Sequence, residues 1–367
     1  MKTLFIIGLM SGTSMDGIDV SSMKTDGIMS KNIGESFIYP YSKHTQMLID
    51  KLNTYSVSKM INKKNLLNKL SISITHDHAN AIFLFISRVS YKIDLIGFHG
   101  QTIYHNPQEK TSLQIGYPQL LSNLTNIKVV SNFRDNDIIM GGQGAPLAPI
   151  YHKHVAEKNK LTYPTCFLNI GGVSNISYCD KNFFLGFDTG PGNGLVDIFI
   201  KKRTDQPFDF SGSLAKSGIA NKKLIQFILE DDFYNLSPPK SLDKLHFQKI
   251  FLLKEFVKLS LSDAIATLSQ LTIESILLSL NLLPKEPKLM IISGGGRKNL
   301  YFIENLKKCC SFKVVTAEEM NIEGDFMESD LIAFISARCF NQLPITFPTT
   351  TGVSSPLLGG KVYTPII

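Results

Sequence analysis

The stretch "TLFIIGLMSGTSMDGIDV" (residues 3–20) decides the fold. A run of eight mostly apolar residues stops at Ser11-Gly12-Thr13-Ser14 and resumes as alternating Gly-Ile-Asp-Val. Three readings compete: an export signal, the first strand of a core sheet, or a strand feeding a loop that grips an anion. Lys2 ahead of an apolar run with small residues after it imitates a signal peptide. Gly8 interrupts that short run, and a strand pattern follows at once, which favours the two strand readings.

The pattern continues outward. "SFIYPY" (36–41) extends a strand meander, and a long helical stretch runs from about His44 to Ser90, with an expected break at "SISIT" (71–75), where Ser and β-branched residues weaken helix propensity. "KIDLIGFHG" (92–100) and "IKVVSNFRD" (127–135) are apolar runs ending in polar residues, as strands covered on both faces do. "APLAPIYHKHVAEK" (145–158) reads as a helix with Pro near its start. "TCFLNIGGVSNISYC" (165–179) then repeats the opening plan, about 160 residues after the first: buried strand, small polar turn, alternating strand. The repeat predicts a structural duplication, two α/β lobes with a cleft between them.

Composition limits the partners. The chain has 367 residues, 43% hydrophobic and 19% charged, which suits an ordinary globular protein of two domains. Its net charge of +7 is spread thinly, and the basic runs "NKKN" and "IKKR" lack interleaved aromatics, so nucleic acid is not expected. No continuous apolar stretch reaches the roughly 18 residues of a membrane span. Five cysteines without a C-x-x-C pattern fit thiols in a reducing compartment, hence a cytoplasmic location. His76 and His78, like His152 and His154, have no ligand set around them for zinc and read as helix-surface residues.

The chemistry concentrates where strands end. Ser11-Gly12-Thr13-Ser14 offers backbone N–H groups and hydroxyls to an oxyanion, though a plain hairpin turn needs no more. Gly171-Gly172, Gly190-Pro191-Gly192-Asn193 and Gly294-Gly295-Gly296 each follow an apolar strand. Four such turns together point to one nucleotide site at strand ends. Neither a P-loop nor a G-x-G-x-x-G fingerprint is present: "LLGGKVY" lacks the earlier glycine, and "SLAK" stands without companion motifs. Asp188, ending a buried strand, is either a base at a cleft floor or a helix cap. Asp16 and Asp19 border the first loop, facing either a hydrated cation or solvent. Arg134 either pairs with an acidic substrate group or with Asp135 or Asp137. His99 and Gln101 end another buried strand at the expected cleft edge, where a lone histidine is more often structural than catalytic.

Ten stretches, in order from one end to the other, then carry a resemblance: "GLMSGTSMDGIDV", "GFHGQTIYHNP", "NFRDNDIIMGGQGAPLAP", "LNIGGVSNIS", "FDTGPGNGLVD", "PPKS", "ATLSQLTIESI", "ISGGGRKN", "DFMESDLIAF" and "TTGVSSPLLGGKVY". The chain resembles the anhydro-N-acetylmuramic acid kinases of the sugar kinase/actin/heat-shock ATPase superfamily. The resemblance implies an α/β fold of two ribonuclease-H-like lobes closing over ATP and Mg²⁺. The lobes are expected at 1–160 and 161–345, with 346–367 returning to the first. Gly12, Thr13, Ser14, Met15, Asp16, Gly17, Ile18 and Asp19 would hold the nucleotide, with Gly171 and Gly172 on the phosphates and Gly294, Gly295 and Gly296 near the nucleoside. Asp188 would activate water and Glu328 would hold the sugar beside it. Arg134 would meet the lactyl carboxylate, and His99, Gln101 and Asn193 are further substrate-binding candidates. No metal ligands are assigned.

The implied reaction is ATP-dependent opening of 1,6-anhydro-N-acetylmuramic acid with phosphorylation of O6 during peptidoglycan recycling, and a homodimer is implied with it. The alternatives are an actin- or chaperone-like ATPase and an inactive sugar sensor. The chain departs from the family pattern at "LDKLHF" (242–247), where Thr-Gly-Arg-Glu is usual, in "DFSGSLAKSG" (209–218), which lacks an Asp before its first glycine, and at Phe326, where Trp is usual.

Overall fold

The computed structural model describes residues 1–366 except 13–16, 54, 56–59, 107–108, 110 and 243–245. It divides into two compact units, Met1–His154 with Phe326–Ile367, and Val155–Asp325.

The first unit is built on β1 (Leu4–Ser11), β2 (Gly17–Thr25), β3 (Ser30–Asn32), β4 (Phe37–Pro40), β5 (Leu95–Asn106), β6 (Thr111–Ile115) and β7 (Lys128–Ser131). The sheet runs β7-β5-β1-β2-β3, with β1, β5 and β7 parallel and β2 antiparallel to β1. The apolar run of β1 therefore lies mid-sheet, buried on both faces, as its composition requires. The helix Lys64–Ile86 brings Leu70, Ile74, Ile82 and Phe85 into one cluster with Ile7, Leu9, Ile18, Val20, Ile96 and Phe98. That helix is unbroken through Ser71–Thr75, contrary to the expected break. Ile74 and Thr75 are fully buried and the Thr75 hydroxyl donates to Ser71 O at 2.7 Å, so tertiary burial outweighs weak propensity.

The second unit repeats the plan with β8 (Thr165–Ile170), β9 (Val173–Asp180), β10 (Phe183–Pro191), β11 (Leu289–Ser293) and β12 (Lys313–Thr316). Its order is β10-β9-β8-β11-β12, with β9 antiparallel to β8 and β11 and β12 parallel to it. With β4, which pairs with β2, and β6, which pairs with β5, set aside, the first sheet reads β3-β2-β1-β5-β7 and the second β10-β9-β8-β11-β12, the same order and polarities. This is the duplication that the two similar openings predicted, in the ribonuclease-H-like form that the family resemblance implied. The helix Leu261–Leu280 is long and apolar enough to cross a membrane, yet its apolar residues are committed internally. Ile265, Leu268 and Leu271 enter one cluster, and Ile273 and Ile276 enter another.

The chain crosses between units at Val155 and returns at Phe326, whereas the sequence placed these points at 161 and 346. The return comes early because the helix Met327–Phe340 packs on the first sheet at two glycines. A Cβ on Gly8 would lie 1.9 Å from Ser329 O, and one on Gly97 would lie 2.8 Å from Ile332 O. A last strand, β13 (Lys361–Tyr363), then pairs antiparallel with β7.

Candidate active site

In the second unit, three of the small-residue turns sit at the carboxyl ends of parallel strands β8, β10 and β11, and they interlock. Gly192 N–H and Gly194 N–H each donate to Gly172 O at 3.1 Å, and Asn193 N–H donates to Gly171 O at 2.7 Å. A Cβ on Gly192 would fall 2.2 Å from Gly171 O, and one on Gly296 would fall 2.4 Å from Ile170 Cγ2. Side chains are excluded where the turns touch. At Gly171 and Gly295 an added Cβ would meet its nearest atoms only at ordinary contact distances of 3.4 and 3.9 Å. Bare backbone that is not packed shut is what close approach of a phosphate chain needs. Asn193, the residue before the helix Gly194–Arg203, leans back on this cradle through Nδ2 to Ile170 O at 3.4 Å.

Asp188 lies on β10 where the register against β9 shifts, a bulge that re-aims the side chain. It is half-buried, and the segment after the adjacent prolines holds it twice. Asp188 N–H donates to Lys240 O at 2.9 Å, and Leu242 N–H donates to Asp188 Oδ2 at 2.7 Å. The capping alternative is not realised, since the following helix starts from Asn193. Lys240 is buried, its ammonium donating to Phe233 O at 3.0 Å and lying 4.5 Å from the Phe233 ring. Burial pulls its pKa down to about 8, against the opposing charge of Asp188. Leu242 reaches Asp188 through its backbone N–H, while its side chain joins the hydrophobic cluster around Phe233 and Phe247. In the other departing segment, Asp209 accepts from Leu214 N–H at 2.9 Å and Ala215 N–H at 3.0 Å, holding the helix Ser213–Ser217 from two residues before Ser211.

The third turn has its own brace. Arg297 is buried, donating to Glu318 Oε1 at 2.6 Å, Asp325 Oδ1 at 2.8 Å and Gly294 O at 2.9 Å. These carboxylates hold its pKa up against the effect of burial, which is the largest influence on it.

In the first unit, Thr13, Ser14, Met15 and Asp16 lie outside the described residues. Their neighbours form a buried polar chain. Tyr41 OH donates to Ser11 Oγ at 2.8 Å, and Ser11 Oγ lies 3.1 Å from His78 Nε2. Burial pulls His78 down to about 4, so the ring is neutral. With Nδ1–H donating to Ile74 O at 2.8 Å, Nε2 accepts from the Ser11 hydroxyl. Gln101 Nε2 donates to Gly12 O at 3.0 Å and its Oε1 accepts from Tyr41 OH at 3.3 Å.

Gln101 is fully buried and braces the first turn, a different task from the expected substrate contact. Ile18 is likewise a core side chain, and Gly17 is small because β4 approaches it, with Tyr39 O 2.8 Å from an added Cβ. Asp19 is half-buried on β2, paired in register with Met10 and Ile38.

Arg134 is fastened by His99 and Gly144. Its Nε and Nη2 donate to His99 Nε2 at 3.2 and 3.0 Å, and Nη1 donates to Gly144 O at 2.5 Å. Asp135 accepts from Asn132, and Asp137 from Gly144 and Thr351. Burial first, and then Arg134, pull His99 down to about 3. The neutral ring gives its Nδ1 proton to Gly100 O and its Nε2 lone pair to the guanidinium. His99 is thus a buried support for Arg134. His105, pulled down to about 3 by burial and Arg134, carries a buried Nε2 without a partner among the described residues.

Glu328 starts the helix Met327–Phe340 with its side chain open to solvent. Enough protein surrounds it that desolvation raises its pKa, with Arg134 opposing. His78, His152 and His154 are buried, which corrects their reading as surface residues; only His76 of the four is exposed. Lys240, Arg297, Asp137 and the Tyr41–His78 pair were not singled out from sequence as site residues. "PPKS" and "NFRDNDIIMGGQGAPLAP" contain two of them, and "ISGGGRKN" a third.

A family profile described as anhydro-N-acetylmuramic acid kinase matches residues 4–365. A protein of that name from Rhodopseudomonas palustris (strain BisB18) is 37% identical over 366 residues, covering 98% of this chain and 99% of its own. One from Zymomonas mobilis is 34% identical over 369 residues, covering 98% and 100%. Among solved structures, the activator of 2-hydroxyisocaproyl-CoA dehydratase from Clostridium difficile aligns with a TM-score of 0.42 at 10% identity, covering 92% of this chain and 97% of that one. With motifs in order along its length and curated relatives matched end to end, the chain belongs to the anhydro-N-acetylmuramic acid kinase family.

Proposed function

We propose that the chain opens the 1,6-anhydro bridge of anhydro-N-acetylmuramic acid with water and transfers the γ-phosphoryl group of ATP to the released O6. Water adds to C1 as the C1–O6 bond breaks, its proton passes to Asp188, and O6 takes the phosphoryl group. The products are N-acetylmuramic acid 6-phosphate and ADP. The observation that carries this reading is Asp188 itself. Its carboxylate is pinned by Leu242 N–H at 2.7 Å, on the strand that ends in the glycine cradle. A base held in one orientation beside an anion-binding backbone suits water activation coupled to phosphoryl transfer.

Gly171 and Gly295, where an added Cβ meets nothing closer than 3.4 and 3.9 Å, are assigned to the nucleotide phosphates. Arg134, with its guanidinium locked, is assigned the lactyl carboxylate as a bidentate partner, and Glu328 and Asn193 are assigned to the sugar. Among the described residues no cluster of three His, Cys, Asp or Glu side chains could cage a metal. Mg²⁺ carried by phosphates and water needs only one or two carboxylates, and when bound it neutralises phosphate charge. The cytoplasm and a homodimer belong to the same reading; all five cysteines are free.

Mixing the protein with MgATP and the anhydro sugar tests the reading. ADP release that depends on the sugar is expected. Hydrolysis indifferent to the sugar would place the chain with ATPases that move a partner, and sugar binding without ADP would make it a sensor.

A further inference from the structure

The segment Asp137–Gly144 contains a buried carboxylate that the reaction itself does not use. Asp137 is 1% exposed and Thr351, from the short C-terminal helix Pro348–Thr351, is 0% exposed. A buried carboxylate is tolerated only when donors satisfy it. Asp137 Oδ1 accepts Gly144 N–H at 2.6 Å, and Oδ2 accepts the Thr351 hydroxyl at 2.6 Å. Two more bonds fasten the loop: Gly142 N–H to Asp137 O and Gln143 N–H to Thr351 O, both at 2.8 Å. Gly142 has no space for a side chain, because a Cβ there would lie 2.2 Å from Asp137 Oδ1.

Gly144 is therefore bonded on both sides of its residue. Its N–H is held by Asp137, and its carbonyl receives Arg134 Nη1 at 2.5 Å. Its φ of +71° turns that carbonyl in a way an L side chain would resist. With His99 Nε2 on the other edge, the guanidinium is clamped from two directions.

We propose that Asp137 and Thr351 are positioning residues for Arg134, acting through Gly144 to aim the guanidinium at the substrate's carboxylate. The proposal rests on the assignment of Arg134 to that carboxylate. Asp135, two residues away, is exposed and bonded locally to Asn132, so the task falls to the inward-facing acid of the same short helix.

Steady-state kinetics on the full chain test this with Asp137→Asn, Thr351→Val, Arg134→Ala and the two double variants containing Arg134→Ala. Asp137→Asn and Thr351→Val are expected to raise KM for the anhydro sugar about tenfold, with KM for ATP moving by less than about twofold, since misaiming a substrate clamp penalises one substrate. Neither substitution is expected to raise sugar KM further once Arg134→Ala is present. Effects that multiply in the double variants, or a parallel rise in both KM values, would overturn the proposal alone. An unchanged sugar KM in Arg134→Ala would remove the assignment of Arg134 and the proposal together. Should Asp137→Asn fail to fold by circular dichroism, Thr351→Val, which deletes one donor from an otherwise intact carboxylate, decides through the same cycle.

Discussion

Leu242 donates its backbone N–H to Asp188 Oδ2 at 2.7 Å, and Asp188 returns its own N–H to Lys240 O at 2.9 Å. The proposed base is thus fixed by main chain, which no side-chain substitution in the strap removes directly. Asp188→Asn keeps an oxygen for Leu242 and loses the proton acceptor. Product formation is expected to fall by roughly 10²–10⁴-fold. ATP affinity and the unfolding midpoint should remain near those of the parent. Isothermal titration with ATP alongside product assays checks this, and retained turnover would remove Asp188 from the role.

Two adjacent glycines should respond in opposite ways. Gly294 has φ +73° and would set a Cβ 2.2 Å from Asn169 Oδ1, so Gly294→Ala is expected to lower stability by about 1–3 kcal/mol. At Gly295 the nearest atom to a Cβ is 3.9 Å away, so Gly295→Ala should fold within about 0.5 kcal/mol of the parent. Its penalty should appear as a higher KM for ATP. Urea unfolding with ATP-dependent kinetics separates the two; equal stability losses would contradict the open face at Gly295.

Arg297→Lys replaces a fork by a point charge in a site with three acceptors. The loss of charge-assisted bonds should lower stability by about 1–3 kcal/mol. Because the brace includes Gly294 O, ATP KM should rise with it. A stable variant with unchanged ATP KM would show that the brace does not shape the turn.

Acid should weaken the fold through the buried histidines. Burial pulls His78 down to about 4 and His99 and His152 to about 3, against an ordinary value of 6.5. Below pH 6.5 the unfolded chain takes up protons that the folded chain refuses. Stability is therefore fully present above 6.5 and is lost as pH falls toward 4, at up to about 1.4 kcal/mol per pH unit for each ring. Unfolding midpoints measured from pH 7.5 to 4.5 should decline; a level profile would mean these rings titrate normally.

Much of the architecture was legible because β1, β8, β11 and the Leu95–Phe98 part of β5 are apolar over most of their length, as mid-sheet strands must be, and the turns after β1, β8 and β11 are built of small residues. The break expected at Ser71–Thr75 failed because propensity is local, whereas Ile74 and Thr75 are held by a core assembled from distant strands. The buried state of His78 and His152 was invisible for the same reason. The helix Met327–Phe340 was assigned to the wrong half because nothing in its own composition says which sheet has glycines at Gly8 and Gly97 to receive it. At the candidate site, residue types and strand ends were readable. The bonds that give Gln101, His99 and Asp137 their tasks join positions far apart in sequence, and no spacing rule reports them.

The return of the chain at Phe326 has a consequence for biosynthesis. On a translating ribosome, Val155–Asp325 emerges as one uninterrupted piece and can close its own sheet as soon as Thr316 has cleared the exit tunnel. The amino-terminal half, although made first, must wait with Gly8 and Gly97 uncovered until the helix that seats on them is synthesised. Nascent-chain proteolysis would then find the later-made half resistant before the earlier one.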